Sequence, residues 1–314
     1  MRHNGSPEWQ NRFRLPLIRQ MQLAAREPSR GLISSTASGT FQLHAWDMRT
    51  ARLTQLTSGP TGVLAGLIAP DGAFVYYHQD HHGNELGHFV RVAFDGGPPE
   101  SITPTMSPYP TFGLAASAVG NRIAFITAVE GEYRLYVVDV TSDSRLGAPR
   151  CIFVSTRFLL SPVLSFDGEI VVVARNTDQR SRRCQLVALD VTTGSALGQL
   201  GGPDDDVSPV GFALRPGDSR LVANGNETGV QRPLIWDISA RRRTDLSLVD
   251  LDGDVEAVDW SPDCLELLLV HVHAAVQRLY VYDTETGEQT RLRHSPGTYN
   301  QACFGPDGLV CSVW

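Results

Sequence analysis

A short turn between two apolar strands recurs along this chain at intervals of about 42 to 50 residues. In its fullest form the turn reads Pro-Asp-Gly: proline presets φ at the second turn position, and Asp and Gly tolerate the tight geometry that follows. The interval is the length of one four-stranded β-propeller blade. Complete or degenerate copies occupy 27–29, 69–72, 119–121, 165–168, 215–218, 261–264 and 305–308.

A second feature repeats in step with the turn: an apolar strand that ends in Asp and leads into another turn. Its copies end at Asp47, Asp95, Asp139, Asp190, Asp237 and Asp283. An Asp side chain at this position can accept backbone N–H groups of the turn, so we interpret all six as structural. Each repeat therefore predicts four short antiparallel strands with no amphipathic helix between them.

The number of repeats predicts an all-β fold, a seven-bladed β-propeller of four-stranded antiparallel blades whose last blade is incomplete. Six repeats begin near residues 17, 63, 109, 158, 207 and 255, and a seventh begins near residue 298 with only its first two strands. A six-bladed ring with a spare terminal segment is the alternative. We interpret 1–6 as a tag remnant or a disordered segment, and 7–314 as a single β-propeller domain.

Composition excludes several classes of function. The net charge of −7 gives no basic footprint for nucleic acid. The five cysteines are odd in number and show no Cys-x-x-Cys spacing, which argues against a zinc site and a disulfide framework. No apolar run is long enough for a signal peptide or a membrane span. We therefore predict reduced thiols, a cytoplasmic location, and no nucleic-acid or membrane partner.

The loop after the second strand of the second repeat is the most specific local motif. It reads Asp-His-His-Gly-Asn-Glu over 80–85, and a strand, a Gly-Gly turn and Ile102-Thr103 follow it. This pattern resembles the N-terminal propeller of the prolyl oligopeptidase family, especially its acylaminoacyl-peptidase-like serine peptidases. The resemblance implies an α/β-hydrolase domain after residue 314. The chain contains no Gly-x-Ser-x-Gly nucleophile motif, so the family's catalytic Ser, Asp and His are carried over to no residue here.

The same loop is the candidate interaction site, and its members are Asp80, His81, His82, Asn84 and Glu85. His78 and His88 flank it, but nothing in their spacing selects a metal, and we interpret the histidines as part of a solvated loop. We predict no catalytic residue, no metal and no cofactor. The basic runs at 180–183 and 241–243 are interpreted as solvated hairpin loops.

Two functional hypotheses remain, and neither makes this chain an enzyme. In the first, the chain is a gating and substrate-selecting propeller that partners a C-terminal hydrolase domain of a serine peptidase. In the second, it is a stand-alone propeller of the WD-like or Tol-Pal-like kind that binds a peptide or protein. A metal-dependent propeller hydrolase that uses Asp80, Asn84 and Asn224 is a weaker third reading.

Overall fold

The structure, a computed structural model, describes residues 15–81, 83–294, 297–299 and 301–313. Residues 311–313 are described by their backbone alone. These residues form twenty-six β-strands and no helix. The first three sheets contain β1 (Ile18–Ala24), β2 (Glu27–Ser35), β3 (Gln42–Asp47), β4 (Arg52–Gln55); β5 (Leu67–Ile68), β6 (Phe74–Asp80), β7 (Gly87–Ala93), β8 (Glu100–Ser101); and β9 (Thr111–Ala116), β10 (Arg122–Val129), β11 (Glu132–Asp139), β12 (Arg150–Ser155).

The remaining strands continue the same pattern. They are β13 (Leu159–Leu164), β14 (Ile170–Asn176), β15 (Cys184–Asp190), β16 (Ala196–Leu200); β17 (Val207–Phe212), β18 (Arg220–Gly225), β19 (Arg232–Asp237), β20 (Arg242–Asp245); β21 (Asp254–Trp260), β22 (Glu266–His273), β23 (Val276–Asp283), β24 (Gln289–Arg291); and the pair β25 (Gln301–Phe304) and β26 (Val310–Val313). Every sheet is an antiparallel meander in which the strands follow chain order.

Both repeated turns form as predicted. In the first kind, Gly72 has a φ of 68° and Asp71 Oδ1 accepts the backbone N–H of Ala73. In the second kind, Asp47 Oδ1 accepts the backbone N–H groups of Arg49 and Thr50. Asp190, Asp237 and Asp283 cap their turns in the same way. Each repeat is therefore built from the same two kinds of Asp-stabilised turn.

The sheets stand around an axis, because the first strand of each sheet contacts the first strands of its neighbours. Apolar clusters fill the spaces between successive sheets rather than the centre of any one of them. The cluster between the third and fourth sheets, for example, joins Ile126 and Leu135 to Val173 and Leu189, all fully buried. Burial between blades explains why an isolated blade cannot be stable.

Buried or half-buried carboxamides join neighbouring blades at three places. Gln20 pairs with the N–H and C=O of Gly66, and Asn224 pairs with those of Ala257. Gln301 pairs with both backbone groups of Met21. Together with the bond from Phe304 N–H to Asp259, the Gln301 contact places the pair β25–β26 between the sixth sheet and the first.

The blade count is correct only in part. Four-stranded antiparallel blades are confirmed, and the described residues form six of them, which agrees with the six-bladed alternative rather than with seven. The remaining sheet has two strands, because the hairpin of β25 and β26 repeats only the first half of the pattern. The domain division at residue 7 stays a prediction, since 1–14 lie outside the described residues. In the described part of the chain we find no helix with the length and apolar character needed to cross a bilayer.

Candidate functional site

A cavity of about 320 Å³ lies on the propeller axis and is lined by the first strands of all six four-stranded blades. Most of its wall is apolar, with Leu67, Val163, Val210 and Val258 among the contributors. Cavities of this size that are apolar and contain a few polar groups are the usual places for small ligands. The polar side chains of the wall are Gln22, Ser117 and Asp259.

Asp259 is the charged group of this cavity. It follows a β-bulge in β21, where the pairing with β22 shifts between Ala257 and Asp259. Bulges redirect side chains and are frequent beside functional sites. Asp259 pairs with the third residue of its blade's second strand, and at the equivalent position the second, fourth and fifth blades have Leu67, Val163 and Gly211. The carboxyl is thus an exception to the repeat rather than part of it.

Two backbone groups hold the Asp259 carboxyl. Oδ1 accepts the N–H of Trp260 at 2.9 Å, and Oδ2 accepts the N–H of Phe304 at 2.8 Å. Burial raises the pKa of Asp259 to about 6, against the two hydrogen bonds, which act to lower it. No cation contributes to this balance. A carboxyl whose pKa lies close to neutral can take up and return a proton at physiological pH.

The other two polar side chains of the wall are already engaged. Gln22 Oε1 accepts the N–H of Ile68 at 3.1 Å, and Ser117, fully buried, donates its hydroxyl to Asn121 Oδ1 at 2.6 Å. Both therefore join strands or shape turns, which leaves Asp259 as the group with proton-transfer chemistry.

The repeated turns bond to one another near one end of the axis. Arg26 N–H donates to Pro70 O at 2.7 Å, and its guanidinium donates to Val119 O at 3.1 Å. Val119 N–H in turn donates to Phe166 O at 3.1 Å. The first four repeated turns along the chain are thereby connected beside the cavity. These bonds fix the positions of the strands that form its wall.

The predicted interaction loop lies elsewhere. It joins β6 to β7, at the opposite ends of the strands from the repeated turns. Asp80 and His81 line a separate cavity of about 470 Å³ together with the segment 56–63, and none of the loop residues lines the axial cavity. Thr61 donates to Asp80 Oδ1 at 3.4 Å.

The tip of this loop is built by local contacts. Asn84 is exposed and accepts the N–H of Leu86, while exposed Glu85 has a φ of 63°. His82 lies outside the described residues. An interaction role for this loop, like the predicted partners and location, stays a prediction.

The histidines beside the loop differ from the solvated cluster that we expected. His78 and His88 are half-buried and pack against Tyr109, and His78 Nε2 bonds to Tyr109 O at 3.0 Å. Burial lowers the pKa of His78. Within the described residues no three His, Cys, Asp or Glu side chains come together as a metal site. Asn224, a residue of the weaker metal hypothesis, pairs with the backbone of Ala257 instead.

Asp259 was not predicted, because it belongs to no catalytic motif and to no cluster of titratable residues along the sequence. The available signal was an alignment of the repeats with one another, in which a carboxylate replaces Leu, Val or Gly at a position on the axis.

Comparisons with known proteins identify the fold. No family model matches the chain, and no curated protein matches it significantly. Among solved structures, oligogalacturonate lyase from Vibrio parahaemolyticus is similar, with a TM-score of 0.68, 14% identity, and coverage of 94% of this chain and 86% of that one. An oligogalacturonate lyase in complex with manganese is also similar, with a TM-score of 0.66, 15% identity, and coverage of 91% and 82%.

These findings correct two expectations. The relationship to the prolyl oligopeptidase family is wrong, because the similar propellers are lyases. The conclusion that this chain is not an enzyme is also wrong, since it depended on the missing hydrolase motif. A lyase chain matched over 86% of its length has the same architecture, so this fold can be an enzyme by itself. The manganese belongs to that lyase, and among the residues described here no three His, Cys, Asp or Glu side chains lie together.

Proposed function

We propose that this chain is an acid–base enzyme that cleaves an acidic oligosaccharide by β-elimination, with Asp259 as the group that transfers the proton. The observation that carries the proposal is Asp259 on the wall of the axial cavity, with its pKa raised to about 6 and no cation among the described residues contributing to that shift. The similarity in fold to oligogalacturonate lyases supports the choice of substrate class.

Elimination suits a single carboxyl of this kind. In a 4-linked uronate, the Asp259 carboxylate would take the proton from C5, next to the sugar's carboxylate group. The C4–C5 double bond forms as the C4–O bond breaks, and the departing oxygen takes the proton back from Asp259. The carboxylate is thereby regenerated, so no second reactant is consumed. A base whose pKa lies near the working pH is the most effective for such a transfer.

The apolar wall of the cavity contributes to this chemistry. Burial of the Asp259 carboxyl in this wall raises its pKa, which makes the carboxylate a stronger base than it is in water. The bonds from Trp260 and Phe304 hold it in one orientation, as a positioned base requires.

The test is the reaction itself. The purified chain is incubated with oligogalacturonate, and the ultraviolet absorbance of the conjugated unsaturated product is followed. We expect product formation that increases as the pH rises through about 6, and a kcat lower by at least about a hundredfold for Asp259→Asn. Asp263→Asn is the matched control, because this substitution removes the same charge from an exposed residue in the turn that follows. Wild-type protein that forms no product at any pH contradicts the proposal.

A further inference from the structure

Two arginines lie side by side near the ends of the fourth blade's strands, at the opposite end from the repeated turns. Arg157 lies in the connection that leads into β13, and Arg175 lies in β14. Arg175 pairs in register with Leu159, two residues after Arg157. Both side chains are half-buried.

Neither guanidinium forms an ion pair with a carboxylate in the part of the chain that the structure describes. The ion pairs among the described residues involve other arginines throughout. The pKa of Arg175 is lowered by burial first and by the charge of Arg157 second. The charge of Arg157 contributes to lowering the pKa of Asp178, whose Oδ1 accepts the N–H groups of Arg180 and Ser181. Among the described residues, the two like charges therefore lie near each other without a direct ion pair to either of them.

Neutral groups fix both guanidinium groups in place. Arg157 donates through Nη1 to Thr177 O at 2.7 Å, and its own backbone N–H and C=O both bond to the Ser155 hydroxyl. Arg175 donates through Nη2 at 2.6 Å and through Nε at 3.2 Å to the amide oxygen of buried Gln185.

A bound anion would neutralise the charges of Arg157 and Arg175. A guanidinium has five N–H donors, and Arg157 uses only one of them in the hydrogen bonds of its side chain. Charge-assisted bonds from two arginines to one oxyanion are strong, and the preordered side chains lose little freedom when they form. Binding would also remove the repulsion between the two cations.

We propose that Arg157 and Arg175 form a binding site for one oxyanion, a carboxylate or phosphate group held between the two guanidinium groups. The site belongs to the fourth blade, and neither arginine lines the axial cavity. The anion-binding proposal is therefore tested independently of the elimination proposed for Asp259.

Calorimetric titration of the full chain in a buffer of low ionic strength tests the site, with acetate, galacturonate, inorganic phosphate and, as the neutral probe, galactose. We expect at least one oxyanion to bind with a stoichiometry of one, and galactose not to bind. The preference between the carboxylates and phosphate identifies which anion the site selects. Arg157→Gln and Arg175→Gln should each weaken binding by about tenfold or more.

Arg182→Gln is the matched control, because Arg182 is an exposed arginine of the same blade with no ion pair among the described residues. It should bind the oxyanion as the wild type does. The proposal is overturned if no oxyanion binds, or if Arg182→Gln weakens binding as much as Arg157→Gln does.

Discussion

The side-chain amide of Gln301 bonds to both backbone groups of Met21, a residue 280 positions earlier in the chain: Nε2 donates to Met21 O and Oε1 accepts Met21 N–H, each at 2.8 Å. The contact joins β25 to β1 and so connects the two-stranded sheet to the first blade. Gln20 makes the same paired contact with Gly66 between the first and second blades.

Removing this clamp should destabilise the ring. We expect Gln301→Ala to lower the free energy of unfolding by about 1 to 3 kcal/mol, because two backbone groups on the inner edge of β1 lose their partner. Urea denaturation measures the change. Gln55→Ala is the control, since exposed Gln55 bonds only to Thr57, two residues away, and should change stability little. Equal effects of the two substitutions would contradict a special role for the clamp.

The raised pKa of Asp259 predicts how stability depends on pH. The native carboxyl titrates near pH 6 and the unfolded one near 3.8, so between these values the native state binds more protons. The contribution of Asp259 to stability is therefore fully present below pH 3.8 and is lost as pH rises through 6, by up to about 3 kcal/mol.

Asp259→Asn should remove this loss, because the amide stays neutral and its oxygen can still accept a backbone N–H. Denaturation curves of the wild type, Asp259→Asn and Asp263→Asn between pH 4 and 8 provide the measurement. The Ser261 hydroxyl and the Leu265 N–H lower the pKa of Asp263, so that control should change stability in the opposite direction. A pH dependence around 6 that is the same in wild type and Asp259→Asn would refute the assignment.

Gly113 permits two first strands to approach each other. Its φ is 136°, and a Cβ built on it would lie 2.4 Å from Pro162 Cδ in β13. We expect Gly113→Ala to cost about 2 to 4 kcal/mol, since it combines backbone strain with a clash against a rigid ring. Gly211→Ala, on the wall of the axial cavity with nothing within 4 Å of the added Cβ, should cost less than about 1 kcal/mol. Thermal melting of the two variants distinguishes these outcomes.

The cysteines should differ sharply in reactivity. Cys151 is exposed, whereas Cys184 is buried in the interface between the fourth and fifth blades, where burial, followed by the charge of Asp206, raises its pKa to about 11. Because the thiolate is the reactive form, an alkylating reagent at pH 8 should modify Cys151 first and Cys184 only after unfolding. Peptide mass spectrometry of native and denatured samples checks this order, and equally rapid modification of Cys184 in the native protein would contradict it.

The repeat could be predicted because each blade depends on local rules. Pro70-Asp71-Gly72 and the capping Asp47 act within a few residues of their own position, so their chemistry is visible in the sequence. The period that they create is enough to predict four-stranded blades. The number of complete blades was harder, because the final hairpin carries the same turn chemistry as a full blade but only two strands.

Asp259, the Arg157–Arg175 pair and the Gln301–Met21 contact have no comparable signature. Each depends on residues that are brought together from different repeats or different strands, and each member alone is an ordinary polar residue. The resemblance of the 80–85 loop to a peptidase propeller misled for the related reason that a loop motif needs only local geometry and says little about chemistry elsewhere in the ring.

By itself, therefore, the sequence determined the hairpins, their period and the apolar faces that require neighbouring blades. Only the tertiary structure decided that Asp259, which follows a bulge in β21, lies on the wall of the axial cavity, where burial raises its pKa to about 6. Turns and strand alternation are set by neighbours along the chain, whereas hydration and proximity of charges are set by residues that meet only after the ring has closed.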